Sequence, residues 1–252
     1  MTGPLTVSAI QYEALEGGVV ANVPEHVRLI EDADSHGARL VIFPELSLIG
    51  YNLPLLRRME QWVVPGDARL AAVREICRRT GVTAVVGAAL REHDGTPRLA
   101  SLAVHPDGSE EAGFKAHLHG GEAALFRAGA GPAVLDVDGW KVALAICFDA
   151  AHPVHSGTAA EAGADVYAVS GLYTQGEGAR LGLHLGARAM DNRMYTLLAN
   201  LGGRTSLGPS CGLSGFWGPD GLAMQRAKGT GTEVLTAVLG RGALERYRRP
   251  AM

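Results

Sequence analysis

Short apolar runs alternate along this chain with stretches whose apolar positions recur at helical spacing. Leu5–Tyr12 (LTVSAIQY) is apolar and β-branched enough to open the domain as a strand. Residues 22–37 then take a helical period. Val27, Ile30 and Ala33 share a face, Asn22 can cap, Glu25 stands three residues on as a capping-box partner, and Gly37 stops the helix. ARLVIFPE (38–45) is a continuous apolar run with a charged residue at its exit, the pattern of a fully buried strand. A second helix is predicted over Gly66–Gly81, with Leu70, Val73, Ile76 and Cys77 on one side, which makes Cys77 core. TAVVGAALRE (83–92) and RLASLAVH (98–105) follow as strands, and Pro106-Asp107-Gly108 supplies a hairpin-type turn. AVLDVDGWKVALAIC (133–147) is a hairpin around Asp138-Gly139. Then come a helix from about His155 to Gly163, the strand DVYAVSG (165–171) and a helix ending near Asn192. MYTLLANLGG (194–203), CGLSGFWGPDG (211–221) and TEVLTAVLG (232–240) close the chain as strands.

Roughly a dozen strands against four or five helices, with hairpins interrupting the alternation, predicts mixed sheets with helices packed outside. A sheet-on-sheet sandwich with outer helix layers satisfies this pattern, and so does a doubly wound single sheet. With no repeat, linker or low-complexity tract, residues 1–252 are expected to form a single domain. A chain of 252 residues, 47% hydrophobic, is long enough for a sizeable core.

A net charge of −3 gives no footprint for nucleic acid or an anionic membrane, so neither is an expected partner. No uncharged apolar run approaches the roughly 18 residues of a membrane helix. The opening MTGPLTVSAIQYE has no basic segment followed by an apolar stretch, so no secretory signal is expected. Three scattered cysteines, Cys77, Cys147 and Cys211, fit a reducing compartment better than a disulfide framework. A cytoplasmic location is the expectation.

Three predicted strand exits carry reactive groups: Glu45 after VIFP, Lys115 in GFKAH and Cys147 after VALAI. Rigid strands aim side chains and loops admit substrate, so such exits are natural places for a site. Taken singly, each has an ordinary explanation: a solvated edge carboxylate, a turn lysine, an inert packed thiol. His117 and His119 alternate along KAHLH, but no third ligand has metal spacing, and no metal is expected. His152 and His155 raise the idea of a Cys–His pair, yet they follow Cys147 too closely to fold back over it easily. The Gly-rich AGAGP (128–132) and GTGTE (229–233) lack the frame of a dinucleotide loop, so they are turns, and no cofactor is expected.

Read together, VIFPELSLIGYNL (41–53), GFKAHLHGGEAALFRAG (113–129) and ALAICFDAAHP (143–153) carry Glu, Lys and Cys in the order that resembles the nitrilase, or carbon–nitrogen hydrolase, superfamily. LGARAMDNRMYTLLANLGG (185–203) and CGLSGFWGPDG (211–221) resemble further segments of that family, so the likeness runs from about residue 5 to about residue 239. It implies a four-layer αββα sandwich of two mixed sheets with outer helices. It also implies a homodimer or higher homo-oligomer, and a small amide as substrate.

The resemblance assigns Cys147 as nucleophile, Glu45 as proton carrier, and Lys115 with the N–H of Phe148 as oxyanion donors. Glu122, four residues before Phe126, matches a second glutamate that orients substrate and supports the lysine; it also suits the first turn of a helix. The chemistry explains the types. A free thiol, with a pKa of about 8.5, is mostly protonated near neutrality. An ammonium stabilises the thiolate, and a carboxylate takes the proton and returns it. Arg188 and Asn192 match a family pattern and are read as structural.

Where relatives continue Cys-x-Asp into Arg-Phe-Pro-Glu, this chain has Ala151, His152, Pro153 and Val154, and it has Leu181 where a tryptophan is frequent. The expected pocket walls are Tyr51, Phe148, His152, Leu172 and Tyr173. Asp149 tilts the reading towards an amide; an N-carbamoyl amide, a nitrile and a non-catalytic role stay open.

Overall fold

A computed structural model of the chain describes residues 3–248. The first half runs β1 (Leu5–Gln11), α1 (Val19–Ser35), β2 (Leu40–Ile42), α2 (Ala71–Thr80), β3 (Thr83–Arg91), β4 (Pro97–Val104) and β5 (Glu110–Phe114). The second runs β6 (Ala133–Val137), β7 (Trp140–Ile146), α3 (Pro153–Glu161), β8 (Val166–Gly171), α4 (Gly178–Asn192) and β9 (Tyr195–Asn200). A small hairpin, β10 (Arg204–Thr205) and β11 (Gly208–Pro209), leads to β12 (Gly215–Trp217), β13 (Ala223–Arg226), β14 (Glu233–Leu239) and α5 (Arg241–Arg248).

The strands form two mixed sheets of six, ordered β14-β1-β2-β3-β4-β5 and β13-β12-β9-β8-β7-β6. In the first, β1, β2 and β3 are parallel; in the second, β7, β8 and β9 are. Alternation along each strand decides the layers. Val7, Ala9, Leu40, Ile42 and Val85 of the first sheet pack against Leu135, Val142, Leu144, Val166 and Leu197 of the second, which makes the core between the sheets. Their neighbours point outward. Val41, Ala84 and Val86 meet Leu29, Ile30, Val73 and Ile76 of α1 and α2. Ala143, Tyr167 and Val169 meet Ala159, Leu181 and Leu185 of α3 and α4. The result is the αββα sandwich. Leu181, where the resemblance leads one to expect a tryptophan, lies on the buried face of α4 and fills core.

Several elements depart from their sequence-based bounds. α1 begins at Val19 because Asn22 is no cap. It is fully buried, accepts from Tyr12 Oη and Leu15 N, and donates to the carbonyls of Leu15, Gly18 and Leu48. The second helix splits: a 3₁₀ turn at Ala68–Leu70, capped by Asp67, precedes α2, and Gly81 ends it in the left-handed region. Glu110–Phe114 adds a strand that the mixed EEAGF pattern conceals. The short basic C-terminal segment RYRRPAM (246–252) begins inside α5, where Arg248 and the preceding Arg241 both pair with buried Asp165 of the same chain. Its residues 249–252 lie outside the described residues. Among the described residues no helix is long and apolar enough to cross a membrane.

Candidate active site

Three strands deliver the predicted residues to one end of the sandwich. β2 ends at Ile42, and the chain passes through Phe43, whose N–H donates to Val85 O at 2.9 Å. Ser170 Oγ, from the other sheet, donates to Phe43 O at 2.7 Å, tying the two sheets together just before Glu45. The turn after Glu45 lies flat on β3 because residue 87 is glycine. A Cβ there would sit 2.0 Å from Pro44 O and 2.5 Å from Leu46 N. Gly87 N–H donates to Ser47 Oγ at 3.0 Å, and His26 holds that hydroxyl at 2.8 Å. Lys115 follows β5 directly; its N–H donates to Leu99 O and its carbonyl accepts from Gly129 N–H. Cys147 follows β7 at a φ of 46°, a left-handed conformation that a non-glycine residue adopts only under constraint. Leu46 and Tyr51, also at this end, share that region at 48° and 55°.

Lys115 Nζ donates to Glu45 Oε1 at 2.6 Å and to Glu122 Oε1 at 2.7 Å, with all three side chains at most 1% exposed. An ammonium has three donors, so one remains for a ligand. Tyr51 Oη donates to the same Glu122 oxygen at 2.6 Å. Glu122 sits in a 3₁₀ turn (Gly120–Ala124), and its other oxygen accepts from His119 N–H at 2.7 Å. The two readings of Glu122 therefore coexist: one oxygen caps the turn and the other braces Lys115. Glu45 Oε2 is buried without a hydrogen bond and is the free acceptor of the group.

Electrostatics sets the resting protonation. Burial pushes Glu45 up to about 7; Lys115 pulls it back and Glu122 pushes it further. Burial alone would lower the Lys115 ammonium, but the charges of Glu45, Cys147 and Glu122 outweigh it and hold the group protonated. Burial, then Glu45, drives the Cys147 thiol well above its ordinary value despite Lys115. Burial thus favours the thiol over the thiolate. Glu45, pushed up to about 7, is suited to accept the thiol proton as sulfur attacks.

Asp149 shapes the turn that presents Cys147. One carboxylate oxygen accepts from Ile146 N–H at 3.0 Å, the other from His117 N–H at 2.8 Å and from His117 Nδ1 at 2.9 Å. Arg188, buried on α4, donates through Nε to Ala150 O at 2.9 Å, and Asn192 Nδ2 reaches Ser156 Oγ at 3.1 Å, so both tie α4 to its neighbours. Cys147 Sγ faces Leu172 O at 3.4 Å. The following Tyr173 is clamped by Asn200 Oδ1, which accepts its N–H at 2.8 Å.

These groups open into a pocket of about 210 Å³ lined by Glu45, Lys115, Glu122 and Cys147. Of the expected walls, Tyr51, Phe148, Leu172 and Tyr173 line it. His152 does not. Its ring stacks on His117 at 3.9 Å and meets the edge of Phe148, because Pro153 starts α3 and swings it behind the wall. His155 bonds Tyr167 Oη at 2.8 Å, so neither histidine forms a pair with the thiol. His119 lies against Phe148 while His117 serves Asp149. Among the described residues no group of three His, Cys, Asp or Glu side chains is disposed to hold a metal. The pocket mouth adds residues that sequence reading missed: Glu177 just before α4, Arg180 and His184 on α4, and Leu207 at the β10–β11 tip. Residues 177, 180, 184 and 188 recur at helical spacing, a signal that marks one face but not what it faces.

The chain is 31% identical over 182 residues to a nitrilase of Pyrococcus abyssi, covering 71% of this chain and 68% of that protein. It is 29% identical over 230 residues to a hydrolase of Pseudomonas protegens encoded in the pqqF 5′ region, covering 85% and 79%. Among solved structures, an amidase from Nesterenkonia sp. AN1 in complex with acrylamide superposes with a TM-score of 0.86 at 24% identity, covering 97% of this chain and 94% of that one. Saccharomyces cerevisiae Nit3, of the nitrilase superfamily, gives 0.89 at 21% identity, covering 98% and 93%. The carbon-nitrogen hydrolase family model matches residues 6–249, nearly the whole chain. With its sheets, its site geometry and this match in agreement, the chain belongs to the carbon–nitrogen hydrolase family.

Proposed function

We propose that this protein hydrolyses a small linear carboxamide to the acid and ammonia through an acyl-thioester on Cys147. The observation that carries the reading is the meeting of an unbonded buried carboxylate oxygen, an ammonium with one donor to spare and a thiol in one small pocket.

Glu45 takes the thiol proton as sulfur attacks the carbonyl carbon. The oxyanion is met by Lys115 and by the N–H of Phe148, in the opening helical turn where such donors have no partner within the turn. Each donor of this kind is worth roughly 3 kcal/mol. Glu45 then passes its proton to nitrogen as the C–N bond breaks and ammonia leaves. A water, deprotonated by Glu45, attacks the thioester, and the acid departs as the thiol regains its proton. A pocket of about 210 Å³ holds only a short acyl chain. The Nesterenkonia amidase supports that scale: one of its structures, at 25% identity and a TM-score of 0.85, shows acrylamide added at the active site cysteine.

Exposed Val154 on α3 and Leu183 and Met190 on α4 support a further reading, that copies of the chain associate through these outer helices into a homodimer or larger assembly. Three free cysteines fit a reducing cytoplasm. The test of the reaction is a panel of short amides, N-carbamoyl amides and nitriles assayed for ammonia and carbon dioxide. Ammonia alone, from amides, supports the reading. Carbon dioxide with the ammonia, turnover of nitriles only, or undiminished turnover by Cys147→Ala contradicts it.

A further inference from the structure

The charges at the pocket mouth are not used by the chemistry just described. Two cations line the pocket, Lys115 and Arg180. Lys115 is held between two carboxylates. Arg180, on the first turn of α4, makes no hydrogen bond with another described residue; its nearest opposite charge is Glu177 Oε1, 4.0 Å from Nη1. Glu177 is anchored through its other oxygen, because its Oε2 accepts from Thr174 N–H and Thr174 Oγ1 at 2.9 Å each. One turn on, His184 offers its imidazole to the same pocket, with Nδ1 near Tyr173 Oη at 3.4 Å. Leu172 and Phe148 give the same pocket apolar wall.

We propose that Arg180 is a specificity-determining residue, and that the preferred substrate is a short amide bearing a carboxylate at the end remote from the amide. The inference rests on the amidase reading and names its substrate class. With the amide carbon at Cys147, the acyl chain lies along Leu172 and Phe148 and its far end reaches the mouth. A guanidinium there meets a carboxylate with a fork of N–H donors, and His184, held below its usual range by burial and by the charges of Arg188 and Arg180, adds a hydrogen bond. The anion also gains from Arg180 a counter-charge that the doubly acidic floor of the pocket withholds. A chain ending in an ammonium would be repelled.

The experiment compares three five-carbon amides by ammonia release: 4-carbamoylbutanoate, pentanamide and 5-aminopentanamide. The anion is expected to exceed the neutral amide in kcat/KM by about tenfold, the worth of one charge-assisted hydrogen bond discounted for exposure. The ammonium compound should be the poorest. About 0.5 M salt should narrow the gap, and Arg180→Gln should bring the anionic-to-neutral ratio close to one. A wild-type ratio near one, a ratio that survives Arg180→Gln, or a preference for the ammonium compound, which would make Glu177 the selector, overturns the inference. Calorimetric binding of 4-carbamoylbutanoate and pentanamide to Cys147→Ala, with and without Arg180→Gln, reads the same preference without turnover. If no amide releases ammonia, the proposed reaction fails, while the binding difference still decides for or against Arg180.

Discussion

Lys115 Nζ stands 2.6 Å from Glu45 Oε1 with both side chains 1% exposed, so an ammonium–carboxyl contact is sealed into the end of the sandwich. Removing one partner of such a pair strands a buried charge, at a cost of about 3–5 kcal/mol. Lys115→Met would leave Glu45 and Glu122 facing each other without a cation. The expected outcome is a melting temperature lower by roughly 5–15 °C, with ammonia release at background. A variant that melts and turns over like the wild type would contradict this role.

The pH dependence follows from Glu45. With a pKa pushed up to about 7 by burial, against Lys115 and with Glu122, the residue is protonated in acid and cannot accept the thiol proton. kcat/KM should rise with pH, about tenfold per unit, and level off above about 7. Stability has the opposite sign. Its folded value lies above the ordinary 4.5, so Glu45 contributes stability that is whole below about 4.5 and is lost as pH rises to about 7. Denaturant titrations of wild type and Glu45→Gln across that window check the sign: the wild type should lose ground to the variant as pH rises.

Gly87 holds the turn of Glu45 against β3. Alanine there would put a Cβ 2.0 Å from Pro44 O, a backbone atom that cannot swing aside. Gly87→Ala should cost about 2–4 kcal/mol and lower kcat by displacing the carboxylate. Gly157, inside α3, is the control, because a Cβ there would meet nothing within 4 Å. Gly157→Ala should gain about 0.5–1 kcal/mol. Paired thermal melts and ammonia assays separate the two.

Asp149 accepts two backbone N–H groups and the His117 ring at the turn bearing Cys147. Asp149→Asn presents an amide NH₂ to donors, leaving at least one unpaired at a cost of about 1–3 kcal/mol. The expected result is a fall in kcat of at least about tenfold with a smaller change in KM, read from steady-state kinetics. An unchanged kcat would remove Asp149 from the positioning of the nucleophile.

The exits carrying Glu45 and Cys147 can be read from the sequence because each follows a continuous apolar run, whereas Lys115 follows a strand that the mixed EEAGF pattern conceals and is marked by the resemblance of its segment to the family. What escapes reading depends on distant partners. Asn22 looks like a cap by type and spacing, yet its side chain serves Tyr12, Leu15 and Leu48, which only the folded chain brings to it. The basic C-terminal segment shows no partner in the sequence, yet Arg248 meets Asp165, 83 residues before it. Nearness to Cys147 in sequence puts His152 at the wall, but the turn between them carries it onto His117. Arg180 and His184 carry no signal beyond helical spacing. Their meaning comes from where α4 lies, not from their neighbours in the chain.

The most direct measurement is an acid-quenched turnover of a short amide, analysed by intact mass and peptide mapping. A thioester mechanism requires an added acyl mass on the peptide carrying Cys147, present during turnover, absent from Cys147→Ala, and gone once the substrate is exhausted. An acyl group on any other residue, or ammonia release by Cys147→Ala at the wild-type rate, would contradict it.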